Sequence, residues 1–117
     1  MQRRRVLIVD DHAGIRRGVA RALVRFDVEV VVAASCAEAR EHAGAIDIAI
    51  VDYNLGDGFG DLLARELLVS TRLRAVVFHT ATMDARVLER LATIGSLVHK
   101  IDHGLPALRR VVAELTG

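Results

Sequence analysis

The chain contains very few of the residues that mark the more specialised classes of protein. Among 117 residues there is one cysteine, one proline and no tryptophan, and aromatic residues make up 3%. The single Cys36 excludes an intrachain disulfide, which fits a reducing compartment, and scarce aromatics argue against stacking platforms for single-stranded nucleic acid. No apolar run approaches the ~20 residues of a membrane span. We therefore expect a cytoplasmic domain without a membrane segment.

Charge and hydrophobicity indicate one ordinary globular domain. The formal net charge is +1, and 52% of the residues are hydrophobic. A nearly neutral chain has no bulk attraction to nucleic acid, so we expect no direct nucleic-acid contact. The short basic arm Arg3–Arg5 is expected to be a solubilising flank.

Lysine is almost absent as well. The chain has 16 lysine and arginine residues, and Lys100 is the only lysine among them. A lysine is a compact charge on a flexible stem and an arginine is a planar fork, so the two are not interchangeable at a tight phosphate site. Because Lys100 follows an apolar run, it is a candidate functional residue.

Five short runs rich in Val, Ile and Ala alternate with segments of helical spacing. The runs lie near residues 6–10, 28–33, 46–51, 75–79 and 97–100. They are continuous, which is typical of strands buried on both faces. The first intervening segment carries an apolar stripe of Ile15, Val19, Leu23 and Phe26. A capping box at Ser35–Glu38 begins a second helix, which we expect Gly44 to end. Asp84 lies in the first turn of a fourth helix, and the apolar face of a fifth helix consists of Leu105, Leu108, Val112 and Leu115.

Repeated strand–helix units predict an α/β fold. Parallel pairing with right-handed crossovers leads to a flavodoxin-like (βα)5 three-layer sandwich, with a five-stranded parallel sheet in the order 2-1-3-4-5. Ligands bind such sheets where the strand order reverses, between strands one and three. Asp10, Asp11 and Asp52 end those strands, so we expect them to share one crevice.

Three carboxylates in one crevice repel one another unless a cation lies among them. Lys100 supplies one positive charge. A magnesium ion, held by Asp11, Asp52 and the backbone carbonyl of Asn54, would supply two more. Asp52 is then a candidate nucleophile toward phosphorus, and the Thr80 hydroxyl a candidate donor to a phosphoryl oxygen.

Four motifs in order now carry a family resemblance. They are Val-Asp-Asp-His at 9–12, Val-Asp-Tyr-Asn-Leu-Gly-Asp-Gly-Phe-Gly at 51–60, His-Thr-Ala at 79–81 and Val-His-Lys at 98–100. With these motifs, the chain from Val6 to the last helix resembles the receiver domain of bacterial two-component response regulators. We expect one receiver domain over residues 1–117, with no output domain in the chain.

The resemblance implies a role for each matched residue. Asp52 would accept a phosphoryl group from a phosphohistidine of a sensor histidine kinase or phosphotransfer protein. Asp10 and Asp11, with the backbone carbonyl of Asn54, would hold Mg²⁺ (or Mn²⁺), and Thr80 and Lys100 would bind phosphoryl oxygens. The resemblance implies a signalling switch rather than a turnover enzyme. It leaves open a homodimer through the face of the fourth helix, fifth strand and fifth helix, and it names neither kinase nor output.

Three positions depart from the family pattern. Leu97 stands where an aromatic side chain usually reports phosphorylation, and Gly56 stands where proline is common. Ile101 stands where proline usually follows the lysine through a cis bond. A cis bond before isoleucine would cost ~3–4 kcal/mol, so we expect a trans bond. We predict a weak or unconventional response on the face of the fourth helix, fifth strand and fifth helix.

Two other functions stay open. Leu97 and Ile101 suit a receiver-like interaction or dimerisation module with a weak or absent response to phosphate. A small phosphohydrolase would need Asp-x-Asp, whereas the chain has Asp10-Asp11-His12. We expect His12 and His79 to be solvent-facing or loop residues without a zinc role, since no partner has ligand spacing.

Overall fold

The computed structural model describes residues 3–70, 73–101 and 104–116. The strands are β1 (Arg4–Val9), β2 (Val28–Ala33), β3 (Ile48–Val51), β4 (Ala75–Thr80) and β5 (Ser96–His99). The helices are α1 (Ala13–Ala22), α2 (Cys36–Glu41), α3 (Gly60–Ser70), α4 (Ala85–Ala92) and α5 (Gly104–Thr116). Among the described residues, no helix has the length and apolar character that a membrane span needs.

The five strands form one parallel sheet in the order β2-β1-β3-β4-β5. This confirms the predicted flavodoxin-like fold and strand order. β1 is flanked by β2 and β3, and its last residue, Val9, pairs with Ala33 on one side and Val51 on the other. The carboxyl ends of β1 and β3 are therefore adjacent, as the order reversal requires.

Each face of the sheet has its own hydrophobic core. On one face, side chains of α2, α3 and α4 pack on the sheet, including Ala39, Leu63 and Leu91. On the other face, Val19 of α1 and Leu108 of α5 do the same. Helices thus cover both faces, which makes three layers and explains why the strands are continuous apolar runs.

Helix ends follow the sequence signals closely at two sites. The Ser35 hydroxyl accepts from the Glu38 backbone N–H at 3.1 Å, which confirms Ser35 as the N-cap of α2. The Glu38 carboxylate accepts from the Ala34 N–H at 2.6 Å, one residue earlier than the reciprocal bond of a capping box. Asp84 lies one residue before α4 as its N-cap and accepts from the Arg86 and Val87 amides at 2.9 and 3.3 Å.

Three expectations about the helices and loops are corrected. Gly44 does not end α2, because the helix closes at Glu41 and Gly44 lies in a short 3-10 turn, Ala43–Ala45. Leu105 is not part of the apolar face of α5: it is 36% exposed, since core contact in this helix begins at Ala107. His79 is not a loop residue but a buried member of β4.

Candidate functional site

The carboxyl ends of four strands carry the predicted side chains. Asp10 and Asp11 follow β1, Asp52 follows β3, Thr80 ends β4 and Lys100 follows β5. Lys100 is fixed in place by its backbone, since its N–H donates to the Thr80 carbonyl at 2.8 Å. The parallel register therefore delivers these residues to one edge of the sheet.

Lys100 joins two of the carboxylates directly. Its Nζ lies 2.7 Å from Asp10 Oδ2 and 3.1 Å from Asp52 Oδ2. Asp10 is only 2% exposed, so this charge-assisted hydrogen bond offsets part of the cost of burying its carboxylate. The ammonium holds the two strand ends together across residues that are far apart in the chain.

The surroundings of Asp52 raise the pKa of its carboxyl group. Its Oδ1 accepts from the Tyr53 backbone N–H at 2.7 Å. Burial raises the pKa of Asp52, Lys100 opposes that rise, and the negative Asp10 adds to it. For Lys100, burial lowers the pKa, but the bonds to Asp10 and Asp52 outweigh it and the pKa is raised overall.

Asp11 and His12 lie beside Asp10 after the end of β1. One ligand atom from each of Asp10, Asp11 and His12 lies within 4.8 Å of the others. His12 Nδ1 is 3.0 Å from Asp11 Oδ1, and the His12 backbone N–H donates to Asp10 Oδ1 at 2.9 Å. The His12 side chain is 71% exposed, in line with the expectation for this residue. Three carboxylates then face one ammonium, a charge balance that suits a divalent cation with oxygen ligands.

The turn after β3 is a tight hairpin-like loop. Asn54 forms an isolated bridge with Phe59, and its side-chain oxygen accepts from the Gly56 N–H at 3.2 Å. Gly56 has φ +82°, a left-handed conformation in which glycine carries no steric cost. Gly58 and Gly60 of the same loop do not adopt a positive φ.

Gly60 serves a different need. A Cβ built there would lie 2.0 Å from the Asp52 backbone oxygen, a distance at which no side chain fits. The absence of a side chain lets the start of α3 approach the backbone at the end of β3 closely. The sequence showed a glycine here but nothing that indicated which backbone atom it approaches.

Beside these residues lies an open cavity of about 600 Å³. It is lined by Asp11, His12, Asp52, Tyr53, Asn54, Gly56, Thr80, Ala81 and Thr82. Thr80 Oγ1 accepts from the Thr82 N–H at 3.2 Å, and its own hydroxyl proton is available to an incoming acceptor. A phosphoryl group attached to Asp52 would have room here.

Several residues of this region carried no signal in the sequence. Asp57 tethers the loop after β3 to α2, since its carboxylate accepts from the Cys36 and Ala37 N–H groups at 2.9 and 3.1 Å. These bonds lower the pKa of Asp57. Arg90 of α4 donates to the Tyr53 hydroxyl at 3.1 Å. An exposed acid in a turn and an arginine on a helix are ordinary surface residues in a sequence, so spacing could not reveal either contact.

The two buried histidines are also informative. Burial and nearby Lys100 lower the pKa of His79 to about 4, although Asp10 opposes the effect. His99 Nε2 lies 3.1 Å from the Thr82 carbonyl, and the Ile101 N–H donates to His99 Nδ1 at 3.3 Å. His99 therefore connects the loops that follow β4 and β5.

No cis peptide bond occurs among the described residues, so the bond before Ile101 is trans, as expected.

Comparisons with known proteins find a matching family and a relative of this chain. The profile of the response regulator receiver domain matches residues 6–99. The DNA-binding transcriptional activator DevR/DosR of Mycobacterium tuberculosis is 37% identical over 114 residues, which cover 92% of this chain and 52% of that protein. The chain thus spans about half the length of the curated relative that it matches.

Solved structures show the same fold. A CheY-like response regulator receiver domain protein from Methanospirillum hungatei JF-1 superposes with a TM-score of 0.83 at 20% identity, covering 97% of this chain and 94% of that chain. The non-phosphorylated HemR receiver domain from Leptospira biflexa gives a TM-score of 0.83 at 24% identity, covering 98% and 96%.

Proposed function

This chain belongs to the response regulator receiver domain family of two-component signalling, and from that premise we propose that it is a phosphorylation-dependent switch with Asp52 as the phosphoacceptor. The observation that carries the proposal is the bridge formed by Lys100 between Asp10 and Asp52, at 2.7 and 3.1 Å. Carboxylate, ammonium and an open cavity coincide at the sheet edge where such folds bind ligands.

The proposed reaction is a transfer from a phosphohistidine of a sensor histidine kinase or phosphotransfer protein. A carboxylate oxygen of Asp52 attacks phosphorus, the new O–P bond forms, and the P–N bond breaks. The imidazole nitrogen keeps the electron pair and takes up a proton. Each carboxylate oxygen of Asp52 accepts one hydrogen bond in the structure, so each retains a lone pair for the attack.

The surrounding side chains would stabilise the transferred group. The Lys100 ammonium offsets negative charge on the equatorial oxygens, and the Thr80 hydroxyl donates a hydrogen bond to one of them. Preorganised donors of this kind supply most of what phosphoryl transfer requires. The product is a stored aspartyl phosphate on the protein, so we propose a switch rather than an enzyme that turns over an external substrate.

The residues present fit a magnesium ion. Asp10 and Asp11, together with the Asn54 backbone carbonyl, would hold Mg²⁺ (or Mn²⁺), which neutralises charge on the phosphoryl oxygens when bound. Two observations support this fit: donor atoms of Asp10 and Asp11 lie within 4.8 Å of each other, and the single Lys100 ammonium is shared between the carboxylates of Asp10 and Asp52.

Intact-mass measurement tests the proposal. The protein is mixed with Mg²⁺ and acetyl phosphate or phosphoramidate and then weighed. We expect the mass of one added phosphate, which is absent in Asp52→Asn and absent when the metal is chelated. As a matched control, Asp57→Asn changes an acid of the same loop that lies outside the proposed acceptor site and should still gain phosphate.

A second function rests on two specific residues. Leu97 is partly buried against the core and has no hydroxyl or aromatic ring, and Ile101 is exposed where the family usually has proline. Both suit a constitutive interaction or dimerisation module. A wild-type chain that gains no phosphate, yet has an intact fold by circular dichroism, would favour this alternative.

A further inference from the structure

Helix α4 makes a polar contact with the loop after β3 through the side chain of Arg90. Arg90 Nη2 donates to the Tyr53 hydroxyl at 3.1 Å, and Arg90 Nε donates to Asp61 Oδ2 at 3.4 Å. Neighbouring Leu91 is fully buried in the core. The guanidinium therefore extends from the last turn of α4 and lies between the turn after β3 and the start of α3.

Tyr53 connects this arginine to Asp52 by a short and stiff path. Its backbone N–H donates to Asp52 Oδ1 at 2.7 Å. Its ring stacks on Phe59 with a centroid distance of 5.1 Å and an interplanar angle of 27°. The stacked ring restricts the side chain, so a displacement of the Tyr53 backbone is passed to the hydroxyl rather than absorbed by a free rotamer.

Asp61 holds the other side of the guanidinium. Its side chain is only 10% exposed, and an unpaired carboxylate at that depth is costly. Arg90 therefore cannot leave Asp61 freely when Tyr53 moves, and a displaced hydroxyl must either break its bond to Arg90 or carry α4 with it. This makes the contact sensitive to the position of Tyr53.

From these contacts we propose that the Tyr53–Arg90 hydrogen bond is the route by which α4 responds to modification of Asp52. The inference rests on the proposed function of Asp52, and it adds Arg90 as the positioning residue through which α4 responds. Phosphorylation converts the Asp52 carboxylate to an acyl phosphate and so removes the carboxylate charge that strengthens the Tyr53 N–H bond. The Tyr53 backbone then relaxes, and its hydroxyl shifts against Arg90. Leu97 has no hydroxyl or ring with which to carry the signal, so the polar link from Arg90 to Tyr53 takes that role.

Amide hydrogen exchange tests the link with beryllofluoride and Mg²⁺ as the probe. In the wild-type chain, exchange over residues 85–92 should change when the probe is added. Tyr53→Phe removes only the hydroxyl and keeps the ring on Phe59. We expect it to lose more than half of that change, and Arg90→Gln to lose as much. The double variant should lose no more than either single variant, because both remove one interaction.

Arg86→Gln is the matched control. Arg86 is exposed on the same helix, and its hydrogen bond within the described residues is the capping of its backbone N–H by Asp84. The change of charge is the same, but the response of α4 should be retained in full. Equal loss in Arg86→Gln and Arg90→Gln would overturn the proposal, as would a full response in Tyr53→Phe.

Intact-mass measurement of the same preparations distinguishes a failure of this inference from a failure of the proposed phosphorylation of Asp52. If the wild-type chain gains no phosphate from acetyl phosphate, the assignment of Asp52 fails. If it gains phosphate and α4 either does not respond or responds independently of Tyr53, only the link fails. Arg90→Gln should still gain phosphate, since Arg90 is not among the residues that line the cavity beside Asp52.

Discussion

At the scale of single residues, charge balance around Asp10 determines how the site is held. Asp10 is almost fully buried, and Lys100 lies 2.7 Å from it. The two residues are 90 positions apart in the chain, so their ion pair also fastens the end of β5 to the end of β1. The ammonium thus stabilises the sheet edge as well as the proposed phosphoryl oxygens.

Replacing Lys100 by methionine should lower the free energy of unfolding by about 2–3 kcal/mol, because a buried carboxylate loses its partner. Urea unfolding at pH 7 without metal measures the loss. Mg²⁺ should recover part of it in the variant, since a cation again faces Asp10. Arg40→Gln, which breaks the exposed pair with Glu66, should change little. An unchanged midpoint for Lys100→Met would contradict the assigned role of the pair.

His79 should make stability depend on acid. Its pKa is about 4 in the folded chain against a usual value of 6.5, so the unfolded chain binds a proton first. Stability is complete above pH 6.5 and is lost as the pH falls toward 4, by up to about 3 kcal/mol.

The comparison of wild type with His79→Leu isolates this effect, because the carboxylates contribute equally to both. Urea midpoints measured between pH 7 and 4 should fall more steeply for the wild type. Parallel curves would show that His79 is protonated without cost to the fold.

At the scale of elements, two glycines of the helices have opposite roles. Gly60 begins α3 against the Asp52 backbone, where an added Cβ would lie 2.0 Å from oxygen. Gly18 lies within α1, where an added Cβ meets no atom within 4 Å. One glycine is required by a close approach, and the other only weakens its helix.

Alanine substitutions should therefore change stability in opposite directions. Gly60→Ala should destabilise the protein by about 2–3 kcal/mol, because a backbone clash must be relieved by movement. Gly18→Ala should stabilise it by about 0.5–1 kcal/mol through helix propensity. Urea unfolding at neutral pH measures both values. Two changes of the same sign would show that the start of α3 adjusts easily or that α1 has a hidden contact.

At the scale of the whole molecule, the local charge of the site contrasts with a nearly neutral chain. The formal net charge is +1, so the proposed divalent cation would be attracted by the acidic edge of the sheet and not by the protein as a whole. Binding at that edge would involve β1 and β3 together, and it would therefore stabilise the folded chain by mass action.

Mg²⁺ should raise the unfolding free energy by about 2.7 kcal/mol at a hundredfold excess over its dissociation constant. Thermal or urea unfolding at constant ionic strength measures the effect, and a chelator should reverse it. Asp11→Asn should shift the metal titration to higher concentrations without altering metal-free stability greatly, since Asp11 is exposed. An identical titration for Asp11→Asn and the wild type would show that the ion binds elsewhere.

Local sequence signals predicted much of the architecture. Continuous apolar runs marked the ends of all five strands to within two residues, and Ser35 capped the start of α2 as expected. Signals failed where an element end depends on its surroundings. Gly44 looked like a helix stop, but α2 had already ended three residues earlier. His79 looked like a loop residue because its polarity masked a strand position that packing had buried.

The sequence alone determines which acidic, hydroxyl and amine residues follow each strand. The apolar runs mark where a strand ends, and the chain direction determines at which edge of the parallel sheet that end lies. Distances belong to the tertiary structure. Only the folded sheet brings Lys100 to Asp10 and Asp52, sets the start of α3 against the Asp52 backbone, and places Arg90 on the Tyr53 hydroxyl. The physical reason is that such contacts depend on how whole elements pack, whereas spacing along the chain reports only which face of one element a side chain occupies.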